Sequence, residues 1–155
     1  MRMNRIWKKV ALATAVLFVG LGAFSAYPES QSSATTITVY KDASCGCCTK
    51  WVDHLKANGF QVTAYDTTDL MKIKTEHRVP GKLSSCHTAL VDGYVVEGHV
   101  PADVVKHLLS VKPDVVGIAV PGMPMGSPGM EGNYSEPYNV LTFDREGNTK
   151  VYTSH

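Results

Sequence analysis

Cysteine is scarce in this chain of 155 residues, with four in all, too few for the dense disulfide framework of a small secreted scaffold. A surplus of charge is missing too, since 15 basic residues face 14 acidic ones. Binding to nucleic acid draws on a basic excess, so this balance argues against such a partner. There is no internal repeat. Long apolar runs are absent except for one, Val10 to Ala26, which follows the basic segment Met1 to Lys9.

That pairing of a basic segment with an apolar run has the form of a secretory signal. Ala23-Phe24-Ser25 offers a small-x-small cleavage site, and cleavage after Ala26 is the neighbouring alternative. Retention as an anchor is the other reading, because the run with its flanks is nearly long enough to span a bilayer. The expectation is residues 1–26 as a removed signal, a polar lead at 27–35, and a single domain at 36–155 that is periplasmic and free of the membrane. Loss of Arg2, Arg5, Lys8 and Lys9 leaves 11 basic residues against 14 acidic ones, a mildly acidic mature chain.

The four cysteines lie at two places. Cys45, Cys47 and Cys48 fall within four residues, where the extended run Thr36 to Lys41 gives way to a helical pattern, and Cys86 precedes His87. Unpaired N–H groups and the positive dipole end at a helix N-terminus favour thiolate over thiol, so the thiols of this corner should ionise readily. Export to an oxidising compartment raises the plain alternative of two structural bridges. The spacing opposes it. Cys47 with Cys48 makes only a strained vicinal ring, and Cys45 with Cys48 is the comfortable local pair, a C-x-x-C.

The remaining pattern predicts the fold. Thr36–Tyr40 alternates as a strand, and Cys48, Trp51, Val52 and Leu55 share one face of a helix that Asn58-Gly59 ends. Phe60–Tyr65 reads as a second strand, and Asp66–Asp69 supplies caps for a short helix from Leu70 to about His77. Thr88–Val91 and Tyr94–Glu97 flank Asp92-Gly93 as a hairpin, and a helix follows Pro101 with Val104, Val105, Leu108 and Leu109 on its stripe. The order β-α-β-α-β-β-α is that of an α/β thioredoxin-like fold. In that fold the loop before the third strand meets the N-terminus of the first helix, which would bring Cys86-His87 beside Cys45, Cys47 and Cys48. A short strand in Val115–Val120, a Met/Gly/Pro-rich loop and a C-terminal hairpin, Tyr138–Phe143 with Thr149–Thr153, are additions.

Cys45-Gly46-Cys47-Cys48, Ser85-Cys86-His87-Thr88, Glu97-Gly98-His99-Val100-Pro101 and Val120-Pro121-Gly122-Met123-Pro124 together resemble the periplasmic copper-resistance CopG family. The resemblance runs from about Thr36 to the C-terminus. It implies a thioredoxin-like domain that binds copper through its Cys-x-Cys-Cys and Cys-His motifs, is encoded among bacterial copper-efflux functions, and has copper ions and copper-efflux or other periplasmic copper proteins as its expected partners.

The donor chemistry points the same way. Cu(I) is soft, prefers thiolate and thioether, and is bridged readily by thiolate sulfur, so clustered thiols suit one ion or several. Cys45, Cys47, Cys48, Cys86 and His87 are the expected ligands. Structural zinc sites spread their ligands as separated pairs, and iron–sulfur clusters use other spacings. Weaker metal candidates are His99, which follows Gly98 before a helix, and Met123, Met125 and Met130, for which packing as gap-fillers is the better reading. His54, His77, His107 and His155 are expected to be solvated. The alternative function is a thiol-disulfide oxidoreductase with Cys45 as nucleophile and Cys48 as resolving thiol. Against it stand the intervening Cys47 and the Cys-His pair where thioredoxins carry a substrate-binding proline.

Overall fold

The computed structural model describes residues 34–155. The signal reading of residues 1–26 and most of the 27–35 lead lie outside the described residues. Within them, the strands are β1 (Thr36–Lys41), β2 (Gln61–Asp66), β3 (His87–Val91), β4 (Tyr94–Glu97), β5 (Gly117–Ala119), β6 (Asn139–Phe143) and β7 (Thr149–Ser154). The helices are α1 (Gly46–Ala57), α2 (Leu70–Glu76) and α3 (Ala102–Val111), with a 3-10 turn at Gly81–Leu83. Among the described residues no helix is long and apolar enough to cross a membrane.

The seven strands form one sheet in the order β2-β1-β3-β4-β5-β6-β7. β1 runs parallel to β2 and antiparallel to β3, which pairs antiparallel with β4. This is the thioredoxin-like arrangement expected from the element order. β5 then joins parallel to β4, and the β6–β7 hairpin continues the sheet beyond it. β2 and β7 are the edge strands, and all the side chains of β2 but Val62 are exposed.

Alternation along the strands divides the interior into two faces. Ile37, Val39, Ala89, Val91, Val96, Ile118 and Val140 point to the face covered by Trp51, Val52 and Leu55 of α1 and by Ala102, Val104, Val105 and Leu108 of α3. Each large side chain fully buried here contributes about 1.5–3 kcal/mol of transfer free energy. Leu83, Val95, Ala119 and Phe143 pack on the opposite face. The stripe predicted for α1, Cys48, Trp51, Val52 and Leu55, is buried throughout, whereas Leu109 of the α3 stripe is only half-buried.

Register places the site. Lys41, the last residue of β1, pairs with His87, the first of β3, so Cys86 falls level with the turn that leads from β1 into α1. The backbone N–H of Asp42 reaches the Cys86 carbonyl at 3.4 Å, and Asp42 Oδ1 accepts from the Ser44 N–H and hydroxyl to shape that turn. Gly98 closes the far side of the corner. Its φ is +74°, and a Cβ there would stand 2.5 Å from the Val120 carbonyl oxygen, so only glycine fits.

Candidate metal centre

Four sulfur atoms meet where β1 ends, α1 begins and β3 begins. The Sγ atoms of Cys45, Cys47, Cys48 and Cys86 all lie within 4.8 Å of one another. Cys45 is the N-cap of α1, and its sulfur accepts from the Cys48 N–H at 3.3 Å. Cys45 and Cys48 are joined by a disulfide, while Cys47 and Cys86 are free thiols. The local pair expected from the C-x-x-C spacing is therefore the one present. Cys86 Sγ lies 3.0 Å from Cys48 Sγ and 3.2 Å from Cys45 Sγ, and Cys47 Sγ is 3.4 Å from Cys45 Sγ. Cys48 is fully buried and the other three are half-buried.

The expected ease of ionisation does not extend to Cys86. Burial, and then the neighbouring Cys47, push its thiol up to about 11. Without a metal ion to replace the proton, Cys86 is a neutral thiol at ordinary pH.

His87 sits behind the sulfurs, fully buried, with its ring centroid 4.4 Å from that of Trp51 and the two planes tilted by 30°. Its Nε2–H donates to the Gly98 carbonyl at 2.9 Å, and its Nδ1 has no partner among the described residues. Burial and the adjacent His99 lower its pKa to about 3, so the imidazole is neutral and the Nδ1 lone pair is available. His99, equally buried, donates from Nδ1 to the Pro128 carbonyl at 2.8 Å, and its Nε2 has no partner among the described residues. Its pKa is lowered too, chiefly by burial. Cys86, His87 and His99 offer three ligand atoms within 4.8 Å of one another.

An interior ion pair holds the Cys86–His87 segment in place. Glu97, with no solvent exposure, accepts at Oε1 from Lys74 Nζ at 2.5 Å, from the Ser85 N–H at 2.6 Å and from the Ser85 hydroxyl at 2.9 Å. Its Oε2 accepts from the Thr88 hydroxyl at 2.8 Å. Lys74 also donates to the His87 carbonyl at 3.3 Å. These contacts satisfy both buried charges and fix the chain on either side of Cys86 and His87. Sequence pattern alone gave no sign of Lys74, because a lysine on a short polar helix reads as solvated.

Two solved structures, forms 2 and 1 of a protein titled copper resistance protein copG, match this chain at 45% identity and a TM-score of 0.75. Each match covers 79% of this chain, and 99% and 98% of the respective solved chain. This chain belongs to the CopG family of copper resistance proteins. A family model described as a protein of unknown function, DUF411, matches residues 83–130, the span that holds Cys86, His87, His99 and the Met/Gly/Pro-rich loop. No curated protein sequence matches.

In this CopG family member the loop lies against the site. Gly129, at φ +87°, sits where a Cβ would be 2.6 Å from the Cys47 carbonyl oxygen and 3.2 Å from His99 Nδ1. That close approach lets Pro128 present its carbonyl to His99. Of the three methionines singled out, Met123 reaches the cluster, with Sδ 3.7 Å from Cys86 Sγ and the side chain partly open to solvent. Met125 and Met130 instead tie the loop to itself and its flank through their backbones: Met125 exchanges bonds with Glu136, and Met130 with Ser127 and Gly126.

Two expectations are corrected here. His54 is not a solvated histidine, because its Nε2 accepts the Ala102 N–H at 3.1 Å and caps the start of α3. Asp69 stands at the N-cap of α2 without a side-chain cap bond; the Thr67 hydroxyl accepts the Asp69 N–H instead. His107 and His155 are exposed, as expected, and His77 is half-buried.

Proposed function

We propose that this protein binds Cu(I) at Cys45, Cys47, Cys48 and Cys86, with His87 at the edge of the site, and serves copper resistance and homeostasis in the periplasm after loss of residues 1–26. The observation that carries this reading is the meeting of four sulfurs from segments about forty residues apart within 4.8 Å. Soft thiolates crowded at one corner suit a soft monovalent ion, and thiolate sulfur can bridge neighbouring ions, so the site has room for more than one copper. His87 Nδ1 adds a neutral donor that is free at any physiological pH. Met123 lies at the rim as a thioether toward solvent.

Cu(I) binding requires the Cys45–Cys48 bridge to be opened first, by two electrons and two protons from a dithiol or phosphine reductant, because a disulfide sulfur is a poor ligand. Bound ions then replace the thiol protons. The test is anaerobic titration of the reduced protein with Cu(I) against a competing chelator. Tight, saturable uptake that is lost when the bridge is left intact supports the reading, and equal uptake by both forms opposes it. Copper sensitivity of cells lacking the protein, relieved by the exported form and not by one without residues 1–26, tests the location.

The bridge itself supports a second reading, a thiol-disulfide oxidoreductase with the half-buried Cys45 as nucleophile and the buried Cys48 as resolving thiol. The two readings part at Cys86. In the enzyme it is peripheral, so Cys86→Ser keeps thiol-exchange activity while Cys45→Ser abolishes it.

A further inference from the structure

With Cys45 and Cys48 joined to each other, two of the four sulfurs cease to be thiolate donors. The corner is not thereby stripped of ligands. Cys86 keeps a free thiol, and behind it lie two fully buried imidazoles, each with one nitrogen that meets no partner among the described residues: Nδ1 of His87 and Nε2 of His99. Buried polar atoms are almost always paired, so two orphans on adjacent rings call for a physical reason. Their rings stand edge to face with centroids 5.2 Å apart. In both, the opposite nitrogen donates to a backbone carbonyl, Gly98 for His87 and Pro128 for His99. That outer contact is the one that fixes a ligating histidine in a single tautomer and raises its basicity.

We propose that Cys86, His87 and His99 form a binding site for a divalent metal ion of the borderline class, Zn(II) being the representative, and that this site is available while Cys45 and Cys48 are bridged. One thiolate and two imidazoles are donors that Zn(II) accepts readily, and three protein ligands leave a fourth position for water. Zinc bonds of about 2.0–2.3 Å set tetrahedral ligands roughly 3.3–3.8 Å apart. The three donor atoms already lie within 4.8 Å of one another, so side-chain adjustments of about an ångström close the site. The state of the bridge thus sets the metal preference of the corner: thiolate-rich and soft when it is open, weighted toward imidazole when it is closed. The inference does not depend on Cu(I) binding by the reduced form.

The test uses the purified protein with its bridge intact, verified by peptide mapping. Zn(II) is titrated against a chromophoric chelator, and Co(II) is then substituted as a spectroscopic probe. One equivalent of Zn(II), with tetrahedral Co(II) bands and a sulfur-to-cobalt charge-transfer band, is the expected result. His99→Ala should weaken Zn(II) by more than about tenfold, since even outer-shell partners are worth that much. Cys86→Ser, a near-isosteric change at a half-buried position with folding checked by circular dichroism, should abolish the charge-transfer band. Absence of Zn(II) uptake by the bridged protein overturns the inference, as does uptake that survives both substitutions. A parallel Cu(I) titration of the reduced protein keeps the two proposals separate, because its failure would count against the copper reading alone.

Discussion

Lys74 of α2 and Glu97 of β4 meet at 2.5 Å in the interior, 23 residues apart in sequence, and the carboxylate also gathers Ser85 and Thr88 around the Cys86–His87 segment. A buried charge left without its partner costs about 3–5 kcal/mol, whereas removal of both charges with apolar replacement is often nearly neutral. Glu97→Leu and Lys74→Met should each lower stability by about that amount, and the double variant should recover much of it. Chemical denaturation of the four proteins measures this, and single variants as stable as wild type would contradict it.

The docked loop makes a second prediction. Gly129→Ala places a methyl against the Cys47 carbonyl oxygen at a positive φ, which should cost about 1–3 kcal/mol and loosen the Pro128 contact to His99. Amide exchange should then speed up at residues 126–131 ahead of the rest of the chain. Unchanged exchange there would mean that the loop does not depend on this close approach.

Much of the frame was legible in the sequence because it is written in local periodicity. The α1 stripe, the Asp92-Gly93 hairpin and the C-terminal hairpin follow from spacing that a single segment carries. The meeting of Cys86 with Cys45 and Cys48 was legible only through the fold, since it depends on the β1–β3 register. What escaped notice depends on partners distant in sequence. Lys74 reads as a surface lysine until Glu97 is seen beside it, and His54 reads as solvated until the N–H of Ala102 arrives from α3. Among the loop methionines it is the sulfur of Met123 that reaches Cys86, a placement that composition cannot give.

Acid should destabilise the protein before the carboxylates titrate. His54, His87 and His99 all have lowered pKa values in the folded state, that of His87 at about 3, mainly through burial. Below the ordinary histidine pKa of about 6.5 the unfolded chain takes up protons that the folded chain refuses. Stability is therefore fully present above pH 6.5 and falls as the pH drops from there toward 3. Metal-free protein should unfold at progressively lower denaturant concentration between pH 6.5 and 5, and His54→Gln should make the slope shallower. A flat profile across that window would refute the assignment.

The cysteine pairing gives a direct chemical prediction. Oxidised metal-free protein, alkylated and digested without reduction, should yield Cys45 linked to Cys48 with Cys47 and Cys86 alkylated. Alkylation of Cys86 should be slow near neutral pH and rise only as the pH approaches 11. A Cys47–Cys86 bridge as the main species would contradict both statements.

The most direct test of the copper reading is Cu(I) titration of Cys86→Ser beside the wild type, in reduced protein whose folding is checked by circular dichroism. A shared site makes Cys86 a ligand equal to Cys45, Cys47 and Cys48, so its loss should lower both the affinity and the number of ions bound. His87→Ala should be milder, and a Met123, Met125 and Met130 triple Leu variant milder again. Normal Cu(I) stoichiometry and affinity in folded Cys86→Ser would contradict the shared site and favour the oxidoreductase.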